Sequence, residues 1–339
     1  MERSERVDDP PGVATLVPPP PGGVRRDRRG GAVVLWAMTA TCLGWGGLRM
    51  TGWEPVFRWS QAVSFTPYLA VAALVPLAWA ALTRRWRAAL TAFVAVAMFA
   101  VIMLPRMLPG AQPPARGPAL RVMTLNMWNG NVPISALMEQ VRRYRPDVLT
   151  LQEVTGPVPE RLAAEGMAGL LPYAYTLPEE DANGVAIYAR HPMSEGRRLP
   201  GTGPGQAAAM VTMPDGRRVE IVSVHACAPS SGWRTACWEP SVRRLPGAGG
   251  PLRVLAGDFN ATLDHAVLRG LIATGYRDAA DATGHGLTMT WPYHEQPFFF
   301  PKIAIDHVLA DERIAVRDFR AVTLPGDDHR LTVTDLTLP

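Results

Sequence analysis

Cysteine is scarce in this chain: three residues in 339, at Cys42, Cys227 and Cys237. No further Cys or suitably spaced His joins the Cys227/Cys237 pair, which argues against a zinc site built on thiolates. Charge is scarce between Gly31 and Pro118, where Ala, Val, Leu and Trp dominate. That poverty places the segment under membrane rules before globular ones. No internal repeat of useful period is visible, so solenoid architectures are set aside. A broad basic face is missing as well. The chain carries 34 basic and 30 acidic side chains, but from Gly117 onward the counts are 21 and 24. The positive excess therefore belongs to the first third, and the remainder lacks the footprint that duplex nucleic acid demands.

Residues 1–30, rich in Pro, Gly and Arg, hold too few apolar side chains to offset the cost of ordering and read as a disordered cytoplasmic tail. Residues 31–105 contain three uncharged runs: Gly31 to Leu48, Trp59 to Thr83 and Ala88 to Pro105. Each is near the roughly 20 residues needed to span hydrocarbon, so three transmembrane helices are expected. A cleaved signal peptide would explain the first run but not two more behind it. Buried helices of a soluble protein are the bland alternative, and Pro76 inside the second run favours that reading. Against it, Trp36, Trp45, Trp53, Trp59, Trp79 and Trp86 crowd the ends and flanks of the runs, as interfacial belts do.

Orientation follows from the flanking charge. Arg25, Arg26, Arg28 and Arg29 precede the first run and Arg84, Arg85 and Arg87 join the second to the third, whereas the first loop has only Arg49 and Arg58. Positive loops stay inside. Three spans then make the chain a multi-pass cell-membrane protein, with the bilayer as a partner and everything beyond Pro105 extracytoplasmic. In that compartment a Cys227–Cys237 bridge is permitted, and both a disulfide and two packed thiols stay open.

Residues 106–118 read as a linker, Pro-, Gly- and Ala-rich from Gly110, leading to a domain at 119–339. Strands are expected at Leu120 to Leu125, Asp147 to Gln152, Gly184 to Ala189, Ala207 to Met213, Arg218 to His225, Leu252 to Ala256, Ile305 to Leu309, Ile314 to Val322 and Leu331 to Leu338. Helices are expected at Ile134 to Tyr144, where Leu137 and Val141 share one face, and at Ala266 to Thr274. Many strands with few helices make an α/β fold of layered sheets with flanking helices.

Polar residues recur at the ends of these strands. Leu125-Asn126-Met127-Trp128, Leu151-Gln152-Glu153-Val154, Val224-His225, Gly257-Asp258-Phe259-Asn260, Ile305-Asp306-His307 and Asp328-His329 form an ordered set. Hydrolysing a phosphoester requires neutralising non-bridging oxygens, activating water at neutral pH and supporting an oxyanion that departs in line. A hard divalent cation with oxygen ligands suits the first and last tasks. A base held in one orientation suits the second.

This set resembles the endonuclease/exonuclease/phosphatase superfamily, in family order over about two thirds of the chain. The resemblance implies a four-layer α/β/β/α sandwich of two stacked mixed β-sheets. It implies Glu153 and Asn126 as metal ligands, with Asp328 assisting, and Mg²⁺ as the ion, Mn²⁺ being the alternative. It implies His329 as base or electrostatic partner, Asp306 as the carboxylate that orients it, Asp258 and Asn260 as residues that position the nucleophile, and His225 as a donor to a phosphate oxygen. Where the family often has Ser before the Asp-His pair, Asp327 stands here, either strengthening cation affinity or only adding surface charge.

The expected function is a membrane-anchored, Mg²⁺-dependent phosphoester hydrolase. A phospholipid or small phosphoester is the favoured substrate, an extracytoplasmic endonuclease or exonuclease acting on nucleic acid is the alternative, and a non-catalytic binding module is the third reading. A groove formed by Arg142, Arg143, Arg197, Arg198, Arg243 and Arg244 on one face would favour nucleic acid. Phe298 to Phe300, with Trp291 and Tyr293, read either as core packed under a loop or as a loop that touches substrate or membrane. His307 reads as structural, and His191, His265, His285 and His294 receive no role.

Overall fold

The computed structural model describes residues 24–339 except 55, 201–204, 295 and 298. Helix α1 (Val24–Thr51) opens it, so residues 24–30, expected in a disordered tail, are helical, while 1–23 lie outside the described residues. The second apolar stretch is broken into α2 (Phe57–Ala62), a 3-10 turn at Val63–Phe65, α3 (Thr66–Ala72) and α4 (Leu74–Leu82). Pro67 explains one break, because it sits in the first turn of α3 with no N–H to continue the preceding helix. Helix α5 (Trp86–Met103) runs on into a 3-10 turn at Leu104–Met107.

Three stretches, Arg29–Thr51, Phe57–Leu82 and Trp86–Met107, are long and apolar enough to cross a membrane. Their mutual contacts run through small side chains, with Ala80, Ala88 and Ala89 around Leu35, and Ala73 and Ala95 around Cys42 and Phe99. Small residues let helix backbones approach where no hydrophobic drive exists between them. The outward positions are apolar: Val71, Leu82, Leu90 and Val101 are 69, 85, 67 and 70 % exposed. Such a surface suits hydrocarbon and not water.

The domain contains β1 (Ala119–Asn126), β2 (Val148–Gln152), β3 (Tyr173–Leu177), β4 (Val185–Ala189), β5 (Met193–Arg198), β6 (Ala207–Thr212), β7 (Arg218–His225), β8 (Arg253–Asp258), β9 (Tyr276–Asp278), β10 (Asp306–Asp311), β11 (Ala315–Thr323) and β12 (Arg330–Thr337). They form two six-stranded mixed sheets in the orders β11-β12-β1-β2-β4-β3 and β5-β6-β7-β8-β10-β9. Side chains alternate across each sheet. Leu120 and Val122 of β1 therefore enter the core between the sheets with Ile221 and Val254, while Met123 and Leu125 face outward.

Outside the first sheet lie α6 (Ile134–Tyr144), α7 (Val158–Ala164) and α8 (Met167–Leu170), packed through Leu137, Val141, Leu162 and Met167. Outside the second lie α9 (Gly232–Arg243) and α10 (Ala266–Ile272), packed through Trp238, Val242 and Leu268. The short α11 (Ala279–Ala282) follows β9. The expected four-layer α/β/β/α sandwich is what the chain forms. Each sheet holds one parallel pair, β1 with β2 and β7 with β8. The carboxyl ends of the two pairs deliver Asn126, Glu153, His225 and Asp258.

Candidate active site

Register explains the convergence on the second sheet. His225 pairs with Asp258 across the parallel strands β7 and β8, and Asp258 pairs with Asp306 across the antiparallel strands β8 and β10. Three side chains from three strands thus stand at one level and point one way. Gly257 makes the approach feasible: a Cβ there would fall 2.0 Å from Val224 O, at φ +150. From the first sheet, Asn126 ends β1 and Glu153 follows β2, while His329 leads into β12. Between the sheets Thr124 donates to Gln152 Oε1 at 3.2 Å and Gln152 Nε2 donates to Ser223 Oγ at 3.1 Å, a buried polar layer that holds the sheets in relation to each other.

Asn126 couples the two sheets directly. Its Nδ2 donates to Glu153 Oε1 at 2.9 Å and to Asp258 Oδ2 at 3.2 Å, and its Oδ1 accepts Trp128 N at 2.9 Å. Glu153 adopts φ 54, a left-handed conformation that costs about 1–3 kcal/mol for such a residue. Asn129 N donates to its Oε2 at 2.7 Å, fixing the carboxylate toward the cleft. Asn260, at φ 48, turns back so that its N and Nδ2 donate to Asp258 at 2.7 and 3.2 Å. His225 Nε2 lies 3.6 Å from Glu153 Oε1 and 3.9 Å from Asp258 Oδ2.

His329 sits between two acids, with Nδ1 2.9 Å from Asp306 Oδ2 and Nε2 3.9 Å from Asp258 Oδ2. Burial alone would lower its pKa, but the charge and hydrogen bond of Asp306, helped by Asp258 and Asp328, push it up to about 10. Burial raises Asp258, and Asp306 adds to that, against the opposing fields of His329 and His225. Ligand atoms of Asp258, Asp306 and His329 lie within 4.8 Å of one another, close enough to hold a metal ion. An imidazolium flanked by two carboxylates also satisfies this trio with no cation. Asp328 has an oxygen left to give a cation, because its Oδ1 is buried without a hydrogen-bond partner while its Oδ2 accepts Trp291 Nε1 at 3.1 Å; Asn126, expected as an oxygen ligand, instead turns its Nδ2 toward Glu153 and Asp258.

All eight residues singled out from sequence meet in this one region. Asp327 is no surface charge: it is 1 % exposed, its Oδ1 accepts His329 N at 2.9 Å, and burial pushes its carboxyl up to about 7. His307 is structural as expected, its ring nitrogens 2.7 Å from Asp278 Oδ2 and 2.8 Å from Ala261 O. Two positioning residues were not read from sequence as part of the site. Thr290 Oγ1 accepts Asp306 N at 3.1 Å, and Trp291 orients Asp328. Their sequence signals were Trp291's place in the aromatic patch and the resemblance of Thr290-Trp291-Pro292 to a segment of membrane-linked family members, and neither assigned a role toward Asp306 or Asp328. Phe299 and Phe300 are exposed and not core, which overturns the core-packing reading for both, and Phe298 lies outside the described residues. Cys227 and Cys237 form a disulfide, with Cα atoms 5.9 Å apart.

Residues 123–335 match the Endonuclease/Exonuclease/phosphatase family, and the chain belongs to it. Among solved structures, it is similar to an endonuclease/exonuclease/phosphatase from Beutenbergia cavernae DSM 12333, at 22 % identity and TM-score 0.53, covering 65 % of this chain and 72 % of that one. It is also similar to a humanized D. rerio TDP2, at 16 % identity and TM-score 0.54, covering 65 % of this chain and 99 % of that one. D. rerio TDP2 complexed with single strand DNA product is similar at 16 % identity and TM-score 0.52, over 65 % and 99 % of the two chains. These likenesses show the fold. No curated protein matches the chain.

Proposed function

We propose that this chain is a membrane-embedded, Mg²⁺-dependent phosphoester hydrolase whose domain, residues 119–339, works outside the cytoplasm. The observation that carries the reading is the assembly of His329, Asp306, Asp258, Asn260 and His225 beside Glu153, Asn126 and Asp328, drawn from both sheets into one cleft. The exported location rests on the arginine distribution around the three apolar stretches and agrees with the Cys227–Cys237 disulfide.

Glu153 and Asp328 would hold the cation, and Asn126 would add an oxygen only with its amide reversed. When bound there, it neutralises non-bridging phosphate oxygens and the departing oxyanion. The remaining chemistry belongs to the chain. Asp258, kept in place by Asn126 and the Asn260 backbone, accepts a hydrogen bond from the attacking water, and Asn260 helps orient it. His225 Nε2 donates to a phosphate oxygen. Asp306 holds the protonated His329 ring in one orientation, and its positive charge stabilises charge building on phosphorus. Water oxygen forms a new bond to phosphorus, the bond to the leaving oxygen breaks in line, and a proton from water ends on that leaving oxygen.

The nuclease reading finds less support. Arg142 contacts Glu165 from α6, Arg197 and Arg198 pair with Glu220 and Glu179 from β5, and Arg243 pairs with Glu239 on α9. Helices α6 and α9 cover opposite faces of the sandwich, so these arginines do not form one groove. The test is hydrolysis of bis(4-nitrophenyl) phosphate by the purified full chain with Mg²⁺. His329→Ala and Asp258→Ala should each lose about 10²- to 10⁴-fold in rate while remaining folded at the assay temperature. Folded variants that keep full activity would refute the assignment.

A further inference from the structure

The catalytic cleft, about 880 Å³, is not enclosed by the domain alone. Gln61, Ser64 and Phe65, from the first turns of the second membrane stretch, line it together with His225, Asp258 and His329. Several contacts fix this wall. Gln61 Nε2 donates to Pro229 O at 3.0 Å, and His265 Nε2 lies 2.6 Å from Ser60 O. Tyr68, in α3, has its hydroxyl 2.8 Å from both the N and the O of Lys302.

That last contact ties the loop ending at Lys302 to an apolar helix. Phe299 and Phe300 on the same loop are 73 and 42 % exposed. Aromatic side chains gain by leaving water, and next to a membrane stretch the bilayer is the medium that receives them. The ends of all three stretches also meet one short segment of the domain: Arg49 and Arg106 reach Asp264, and Ser60 reaches His265. The cleft is thereby held at a fixed place relative to the helices.

Charge narrows what enters. Glu153, Asp181, Asp258 and Asp328 line the cleft, with Arg234 the one Arg or Lys among the described lining residues. A polyanion that needs many basic contacts is poorly served. A single phosphoester attached to an apolar body is well served, given Phe65, Ile303, Ile305 and Trp291 on the same walls.

We infer that the second membrane stretch is part of the substrate site, and that the substrate is an amphiphilic phosphoester resident in the bilayer. Its phosphate lies among His225, Asp258 and His329, and its apolar part lies against Phe65, Ile303 and the membrane-facing pair Phe299 and Phe300. This rests on the hydrolase reading above. It adds that the helices are a substrate-selecting element, not only an anchor.

The experiment uses the full chain in nanodiscs of phosphatidylcholine and phosphatidylglycerol with Mg²⁺. It compares release of a fluorescently labelled phospholipid headgroup, hydrolysis of bis(4-nitrophenyl) phosphate, and cleavage of a single-stranded DNA oligonucleotide. The lipid should turn over with a KM set by its mole fraction in the disc, and faster than the oligonucleotide. Phe65→Ala should lower kcat/KM on the lipid by about tenfold or more, with a much smaller loss on the soluble diester. The paired exposed-site variant Phe299→Ser/Phe300→Ser should show the same split, which covers the case in which Phe65→Ala fails to fold. Equal losses on both substrates, or an oligonucleotide cut faster than the lipid, would overturn the inference. Turnover of the soluble diester with an untouched lipid would overturn it alone, whereas no turnover of any substrate would overturn the hydrolase reading beneath it.

Discussion

Asp264→Ala should detach the domain from its three apolar helical stretches. The carboxylate is 1 % exposed and receives Arg106 in a fork, Nη1 to Oδ2 at 3.0 Å and Nη2 to Oδ1 at 2.8 Å, plus Arg49 Nε to Oδ1 at 2.9 Å. Both guanidiniums lie largely out of water, with side chains 7 and 13 % exposed. Removing the one acid between them strands buried charge, which costs about 3–5 kcal/mol, of the same order as the whole stability of a marginal domain. For a domain of this size that corresponds to a fall in Tm of roughly 6–20 °C. The bundle and the sandwich have separate cores, so part of the loss should appear as undocking.

The assay is thermal unfolding of the full chain in detergent, followed by tryptophan fluorescence, with limited proteolysis of the segment at 108–118, which follows the 3-10 turn. Adding Arg106→Met should recover part of the loss, because one of the two stranded charges is then gone. Acid should imitate the substitution. Burial would raise the Asp264 pKa, but Arg106 and Arg49 reverse this and hold it below the ordinary value. Its contribution is thus present above the unfolded pKa of about 4 and lost as pH falls through the folded value. An Asp264→Ala protein within about 0.5 kcal/mol of the parent would refute the reasoning, since that is the scale of a change at an indifferent surface site.

Trp291→Phe keeps an aromatic ring but removes the donor to Asp328, so the Mg²⁺ concentration for half-maximal rate should rise about tenfold or more with little change at saturation; an unchanged Mg²⁺ requirement would count against Asp328 as a ligand. Replacing Cys227 and Cys237 together by Ser opens a loop of sequence separation 10 and should cost about 3 kcal/mol, read as a lower Tm. An unchanged Tm would mean that the bridge does not restrain the unfolded chain.

The core strands were legible because they obey a simple rule: β1, β2, β7, β8, β10 and β12 are apolar runs that end in a polar residue or follow one. Strands β3, β5 and β9 were missed, and all three are sheet edges. An edge strand needs less apolar surface and more charge, as Met193–Arg198 illustrates with five exposed residues. Helix α9 was obscured by Pro240, although Trp238 and Val242 bury one side of it.

The site was legible because its residues follow strand ends in a recognisable order. Their supports were not, since Thr290 with Asp306 and Trp291 with Asp328 are tertiary contacts that no local pattern encodes. His265 shows the same limit. Given no role from sequence, it is buried against Ser60 O at 2.6 Å and helps lock the second apolar stretch to the cleft. Nothing in the spacing of Gln61 and Pro229, 168 residues apart, announces that they touch.

The most direct measurement of the central claim is the rate at which the purified full chain cleaves a soluble phosphodiester as Mg²⁺ is removed by a chelator and then restored. Loss of turnover on chelation, recovery on readdition, and no turnover from Glu153→Ala at ordinary Mg²⁺ are the predicted results. An unchanged rate in chelator, or full activity from Glu153→Ala, would contradict the account.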